Sequence, residues 1–120
     1  MAVIDRGRIE YDEAANDVGA VLVNYIALGL RGPRLHGPAR ALSRRFLDEY
    51  VSASADSGID EVLPVHTAMR VAAVASPTFY PEVSDRARVA TLAAGVKIAG
   101  LPRLGLDNLG ACFDELMELS

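Results

Sequence analysis

The chain has 120 residues and a formal net charge of −4, with 51% hydrophobic residues, a size that suits one domain. Its single cysteine, Cys112, excludes an internal disulfide, and the best apolar window, Val18 to Leu30, is interrupted by Asn24 and too short to span a bilayer. The overall acidity disfavours a nucleic-acid partner, although eleven of the twelve basic residues are arginines and Lys97 is the only lysine.

The N-terminus, Met1-Ala2-Val3-Ile4-Asp5-Arg6, lacks the basic start and long apolar centre of a secretion signal. With the lone thiol, this places the expected location in the cytoplasm and away from membranes. Val3-Ile4 reads as the stub of a β-strand, with Asp5 at its end and Gly7 in the following turn. Asp12 suits an N-cap, because its carboxylate can accept the orphan amides of the next turn. Ala14, Val18, Val21, Leu22, Tyr25 and Ile26 then recur at helical spacing and predict a first helix from Glu13 to Leu30.

The breaker-rich stretch from Gly29 to Pro38 reads as a loop. Pro38 suits the first turn of a second helix, where its missing N–H is harmless. Leu42, Phe46, Leu47, Tyr50 and Val51 form the apolar stripe of this helix, Arg40, Arg44 and Arg45 point elsewhere, and its end is expected near Ala55. A third helix is predicted from Asp60, with Pro64 in its first turn and Leu63, Met69, Ala72 and Ala73 facing inward, until Ser76-Pro77 stops it. Ser84 or Pro81 opens a fourth helix that reaches about Ala99 through Ala87, Ala90, Leu92 and Ala94. After the breakers Gly100, Pro102 and Gly105, Asp107 can cap a fifth helix carrying Cys112, Phe113, Leu116 and Met117. The expected fold over 1–120 is therefore a single, mainly α, five-helix bundle-like unit with a short N-terminal strand stub.

Four segments carry a family resemblance. Ala2-Val3-Ile4-Asp5 followed by Glu10-Tyr11-Asp12-Glu13-Ala14-Ala15-Asn16-Asp17-Val18 is similar to the "apolar-Ile-Asp-aromatic-Glu … Gly-Asp-Pro-x-x-Asp-Leu-Ala" segment of aminoglycoside phosphotransferases and choline-kinase-like enzymes. Arg45-Phe46-Leu47-Asp48-Glu49-Tyr50 resembles their "Phe-Leu-x-x-Tyr" helix. Arg70-Val71-Ala72-Ala73 and Ser76-Pro77-Thr78-Phe79-Tyr80 resemble a later Arg-containing helix and the "Ser-Pro-x-aromatic-Tyr" turn. The likeness covers most of the chain in the family's order.

The resemblance implies the C-terminal helical part of a kinase-like fold, in which Asp5 matches the magnesium-ligating aspartate and Asp17 matches a structural aspartate that holds the catalytic loop. Mg²⁺ takes oxygen ligands, commonly one or two carboxylates plus phosphate oxygens. The chain departs from the pattern at Arg6-Gly7, where the family has an aromatic residue and Glu. The family's His-Gly-Asp-x-x-x-x-Asn catalytic loop and its nucleotide-binding lobe are not among these residues, and Lys97, in a late helix, does not stand in for the phosphate-contacting lysine. Because phosphoryl transfer rests on positioning and electrostatic stabilisation, the expectation is no catalysis by this chain alone. Mg²⁺ and ATP enter only if an N-terminal kinase-lobe partner chain completes the site.

The remaining clusters read as structural. Glu10, Asp12, Glu13 and Asp17 lack the spacing and glycine of a calcium loop and fit a solvated helix start. His36 and His66 have no Cys or Glu at metal-ligand spacing, and Cys112 has no base near it in sequence. Arg31, Arg34, Arg40, Arg44 and Arg45 read as a solvated face. The alternative to a phosphotransferase fragment is a non-enzymatic helical interaction module or homodimer, with Val3, Ile4 and the first helix as the expected interface.

Overall fold

The computed structural model describes the backbone of residues 3–54, 58–78 and 81–119, and side chains from residue 14 onward. Five α-helices follow one another: α1 (Val3–Gly29), α2 (His36–Ser54), α3 (Ile59–Val74), α4 (Asp85–Ala99) and α5 (Leu106–Met117), with a single 3-10 turn at Pro33–Leu35 between α1 and α2. α1 has 27 residues and so spans about 40 Å, which sets the long dimension of a body measuring 46 × 30 × 22 Å.

No strand occurs among the described residues, and this corrects the expected stub at Val3-Ile4. A two-residue strand leaves its amides without partners, whereas a helix satisfies each N–H from the carbonyl four residues back. The one breaker in the way, Gly7, costs only about 1 kcal/mol in a helix. Asp12 accordingly lies within α1 instead of capping it.

α1 is the central mast. It packs along α3 and against α2, while α4 lies on α3 and α5 lies on α2. Ala15, Val18 and Leu22 of α1 meet Leu47, Ile59, Leu63 and Leu109 in one buried cluster. Ile26 and Leu30, a turn or two farther on, meet Ala94, Ile98, Phe113 and Leu116 in a second. Gly19 permits the close approach of α1 to α3, because a Cβ there would sit 3.1 Å from the Thr67 backbone nitrogen.

The other helix ends follow the sequence reading closely. α2 starts at His36 with Pro38 in its first turn. Ser84 is the N-cap of α4, its hydroxyl accepting the Ala87 N–H at 3.2 Å. α5 instead begins after Gly105, whose N–H donates to the Asn108 side-chain oxygen at 2.7 Å, so Asp107 sits in the first turn and is not the cap. The expected inward faces need correction at four positions. Leu42, Met69, Ala72 and Leu92 are exposed.

Candidate functional site

Pro64 lies six residues into α3, beyond the first turn in which it is harmless. It has no N–H to give the carbonyl of Asp60 four residues earlier, and that carbonyl accepts the Leu104 N–H at 2.8 Å instead. The Asp60 carboxylate accepts two bonds from Arg103, from Nε at 3.0 Å and Nη2 at 2.7 Å. Nη1 of the same guanidinium donates to Asp107 at 2.6 Å, and the Arg103 carbonyl accepts from Asn108 at 2.9 Å. The bonds and charge of Asp107 and Asp60 push the Arg103 guanidinium further toward its charged form, and Arg103 in turn holds the Asp107 carboxyl below the usual range. These bonds fasten the loop between α4 and α5 onto the start of α3. The cluster is a clasp.

A cavity of about 520 Å³ opens between the end of α1, the 3-10 turn and the start of α4. Its floor is Leu30, Ala90 and Met117, and Arg31 and Arg86 stand at its rim. His36 also lines it, but the buried His36 Nε2 has no hydrogen-bond partner and is closed to solvent, so this nitrogen does not face the opening. A basic rim without an inward polar group gives a ligand little to orient on.

The third feature is an apolar surface on α3 and α4. Gly95 lets the two helices meet closely, since a Cβ there would come 2.7 Å from Val71 Cγ1. Arg88 of α4 donates back to the Ala75 carbonyl at the end of α3 at 2.7 Å, so the helices run antiparallel. Val65 (58% exposed) and Met69 (65%) project from α3, and Val89 (66%), Leu92 (47%) and Val96 (76%) project from α4. Ala72, Ala93 and Ala99 are exposed among them. At 100° per residue, both stripes turn in the same sense from the line of contact, by about 50° to 150°. In an antiparallel pair, equal rotations in the same sense emerge on one side. The two stripes therefore form one continuous face.

The site residues expected from sequence do not gather at any of these places. Asp5 lies in the helical backbone of α1, not at a strand end, and its carboxylate falls outside the described side chains, as do those of Glu10, Asp12 and Glu13. Asp17 is exposed on α1, with no partner among the described residues. No group of three or more His, Cys, Asp or Glu able to hold a metal ion occurs among the described residues. Cys112 is half-buried, and burial, with Glu115 nearby, pushes its thiol up to about 11. The arginine run splits up: Arg40 pairs with Asp114 of α5 at 2.9 Å and Arg45 with Glu49 at 3.1 Å, while Arg31, Arg34 and Arg44 are exposed. No helix among the described residues is long and apolar enough to cross a membrane.

Sequence reasoning missed the apolar face because it assigned Met69, Ala72 and Leu92 to the interior. The available signal was that α4 carries apolar residues on two opposite sides, with Ala90, Ala94 and Ile98 buried on one and Val89, Leu92 and Val96 exposed on the other. A single apolar stripe faces one core, and a second stripe calls for further cover.

No family model matches the chain, and neither the curated proteins nor the solved structures contain a match to it.

Proposed function

We propose that this chain is a non-enzymatic helical interaction module, acting through protein contact on the α3–α4 face. The carrying observation is that face itself: five large apolar side chains, each between 47% and 76% exposed, on two helices locked side by side. Scaled by ordinary side-chain areas, with the exposed alanines included, it presents roughly 700 Å², against about 300–600 Å² for the largest apolar patch of a typical monomer. A cytoplasmic setting accords with the lone, half-buried Cys112.

A photo-reactive amino acid at Val96 tests this reading in cells, with the same group at Arg45 on α2 as the control. Discrete protein adducts are expected from position 96 alone. Equal adducts from both positions, or none from either, would sink the proposal, as would ATP-dependent phosphorylation of an aminoglycoside or small alcohol by the purified chain.

A second reading is favoured by where the family-like segments fall. Leu47 of the Phe46-Leu47…Tyr50 segment is buried with Phe46 and Tyr50 packed beside it, and Ser76-Pro77 follows the end of α3. This order supports kinship with the helical C-terminal part of small-molecule phosphotransferases. A separate kinase-lobe chain would then supply the nucleotide, metal and base, and Asp5 would contribute a magnesium ligand. Co-expression with a chain carrying such a lobe and its catalytic loop should yield phosphoryl transfer that Asp5→Asn abolishes. Transfer that is indifferent to Asp5→Asn rejects the assignment.

A further inference from the structure

We infer that the α3–α4 face is covered by a second copy of this chain, with α3 of each copy laid over α4 of the other about a two-fold axis parallel to the helices. The inference rests on the interaction-module reading and names its partner. Three observations carry it.

The first is area. Two faces of roughly 700 Å² bury about 1,400 Å² in total, within the about 1,200–2,000 Å² of a standard specific interface. The second is charge. From Val65 to Ala72 on α3 and from Val89 to Ala99 on α4, the exposed positions are apolar except Lys97, whose ammonium pairs with Glu115 of α5 at 3.5 Å. Such a surface selects for an uncharged apolar partner, and the chain's own face is one.

The third is geometry. A two-fold axis between the helices sets each α3 against the other copy's α4 and keeps neighbouring helices antiparallel, as in four-helix bundles. Val71 and Gly95 lie at one height within a copy. The axis preserves that height, so Met69 of one copy falls opposite Val96 of the other. Ala72 and Ala93, both small and exposed, leave room for the backbones to approach.

Light scattering across a concentration series tests the inference on the purified chain. A mass of twice 12.8 kDa is expected, with the Kd of the dimer raised roughly 100-fold by Val96→Glu and by Met69→Glu while helical circular dichroism is retained. Orientation is read by mixing Met69→Cys chains with Val96→Cys chains, both in a Cys112→Ser background, under mild oxidation. Cross-linked heterodimers should dominate over either self-pair. A chain monomeric at about 1 mM, a dimer indifferent to both glutamates, or self-pairs outnumbering mixed pairs overturns the proposal. So does binding to anionic phospholipid vesicles that Val96→Glu abolishes in a chain that stays monomeric. Adducts at position 96 with a mass other than this chain's, alongside a monomeric purified protein, reject the second copy but leave the interaction module standing. Should a glutamate variant fail to fold, the mixed-cysteine experiment still decides.

Discussion

α4 and α5 are similar in length and both rich in apolar residues, yet they use them differently. In α5, Leu109, Phe113, Leu116 and Met117 are all buried, and Asp107, Asp114 and Glu115 are exposed. In α4, Ala90, Ala94 and Ile98 face the core, but Val89, Leu92 and Val96 face away from it. A one-sided helix meets its needs within one chain. A helix with apolar surface on both sides does so only when something else arrives, and the lesson is that α4 is built for two neighbours.

The largest test of that contrast is Phe113→Ala. Phe113 is 1% exposed at the meeting of α1, α4 and α5, and its truncation should cost about 3–5 kcal/mol, read by urea denaturation. Val96→Ser, at concentrations where the chain is monomeric, should fall within about 0.5 kcal/mol of the parent. Comparable losses at the two positions would erase the distinction between the helices.

Next in size is Gly95→Ala. Alanine is the better helix former by about 1 kcal/mol, but the added Cβ would press on Val71, and overpacking of this kind costs about 1–3 kcal/mol. A net loss of up to about 2 kcal/mol is expected. An unchanged or raised Tm would show that α3 and α4 have slack between them, and that the apolar face is less firmly assembled than its geometry implies.

The smallest effect concerns the clasp at the start of α5. Arg103 depresses the Asp107 carboxyl, so the pair's contribution to stability is present above the ordinary aspartate pKa of about 3.9 and is lost as pH falls through the lower, folded-state value. Thermal melts should show Asp107→Asn weakening the parent above about pH 5, with the difference closing in stronger acid. A difference that persists unchanged below pH 2 would exclude the ion pair as its source. The exposed setting keeps the effect modest.

Much of the fold was legible from local signals. Ser84 was one of two starts the sequence offered for α4, with Pro81, and its hydroxyl is the cap; Phe113, Leu116 and Met117 named the buried face of α5, which Leu109 shares. The start of α1 was not legible. Val3-Ile4 suits a strand or a helix by composition, and the choice turns on which form satisfies the backbone. Pro64 was placed too near the start of its helix, since the rescue of the Asp60 carbonyl comes from Leu104, forty-four residues away. Of the two residues the resemblance singles out, the Asp5 side chain lies outside the described residues and Asp17 is exposed on α1.

By itself, then, the sequence determined a mainly helical chain of five helices, the loops between them, the lack of an internal disulfide and of a long apolar span, and most of the inward residues of α2 and α5. These follow from periodicity, capping and breakers, which act within a few residues. Only the tertiary structure decided which side of a helix with two apolar sides is the inside. Met69, Ala72 and Leu92 have the same periodicity as core residues, and they became surface because α1 and α4 cover the side of α3 that carries Thr67, Val71 and Val74, and because the antiparallel contact at Gly95 puts both remaining stripes on the same side. Hydrophobic burial is non-directional. The sequence supplies the apolar surface, and the packing selects which part of it is left for a partner.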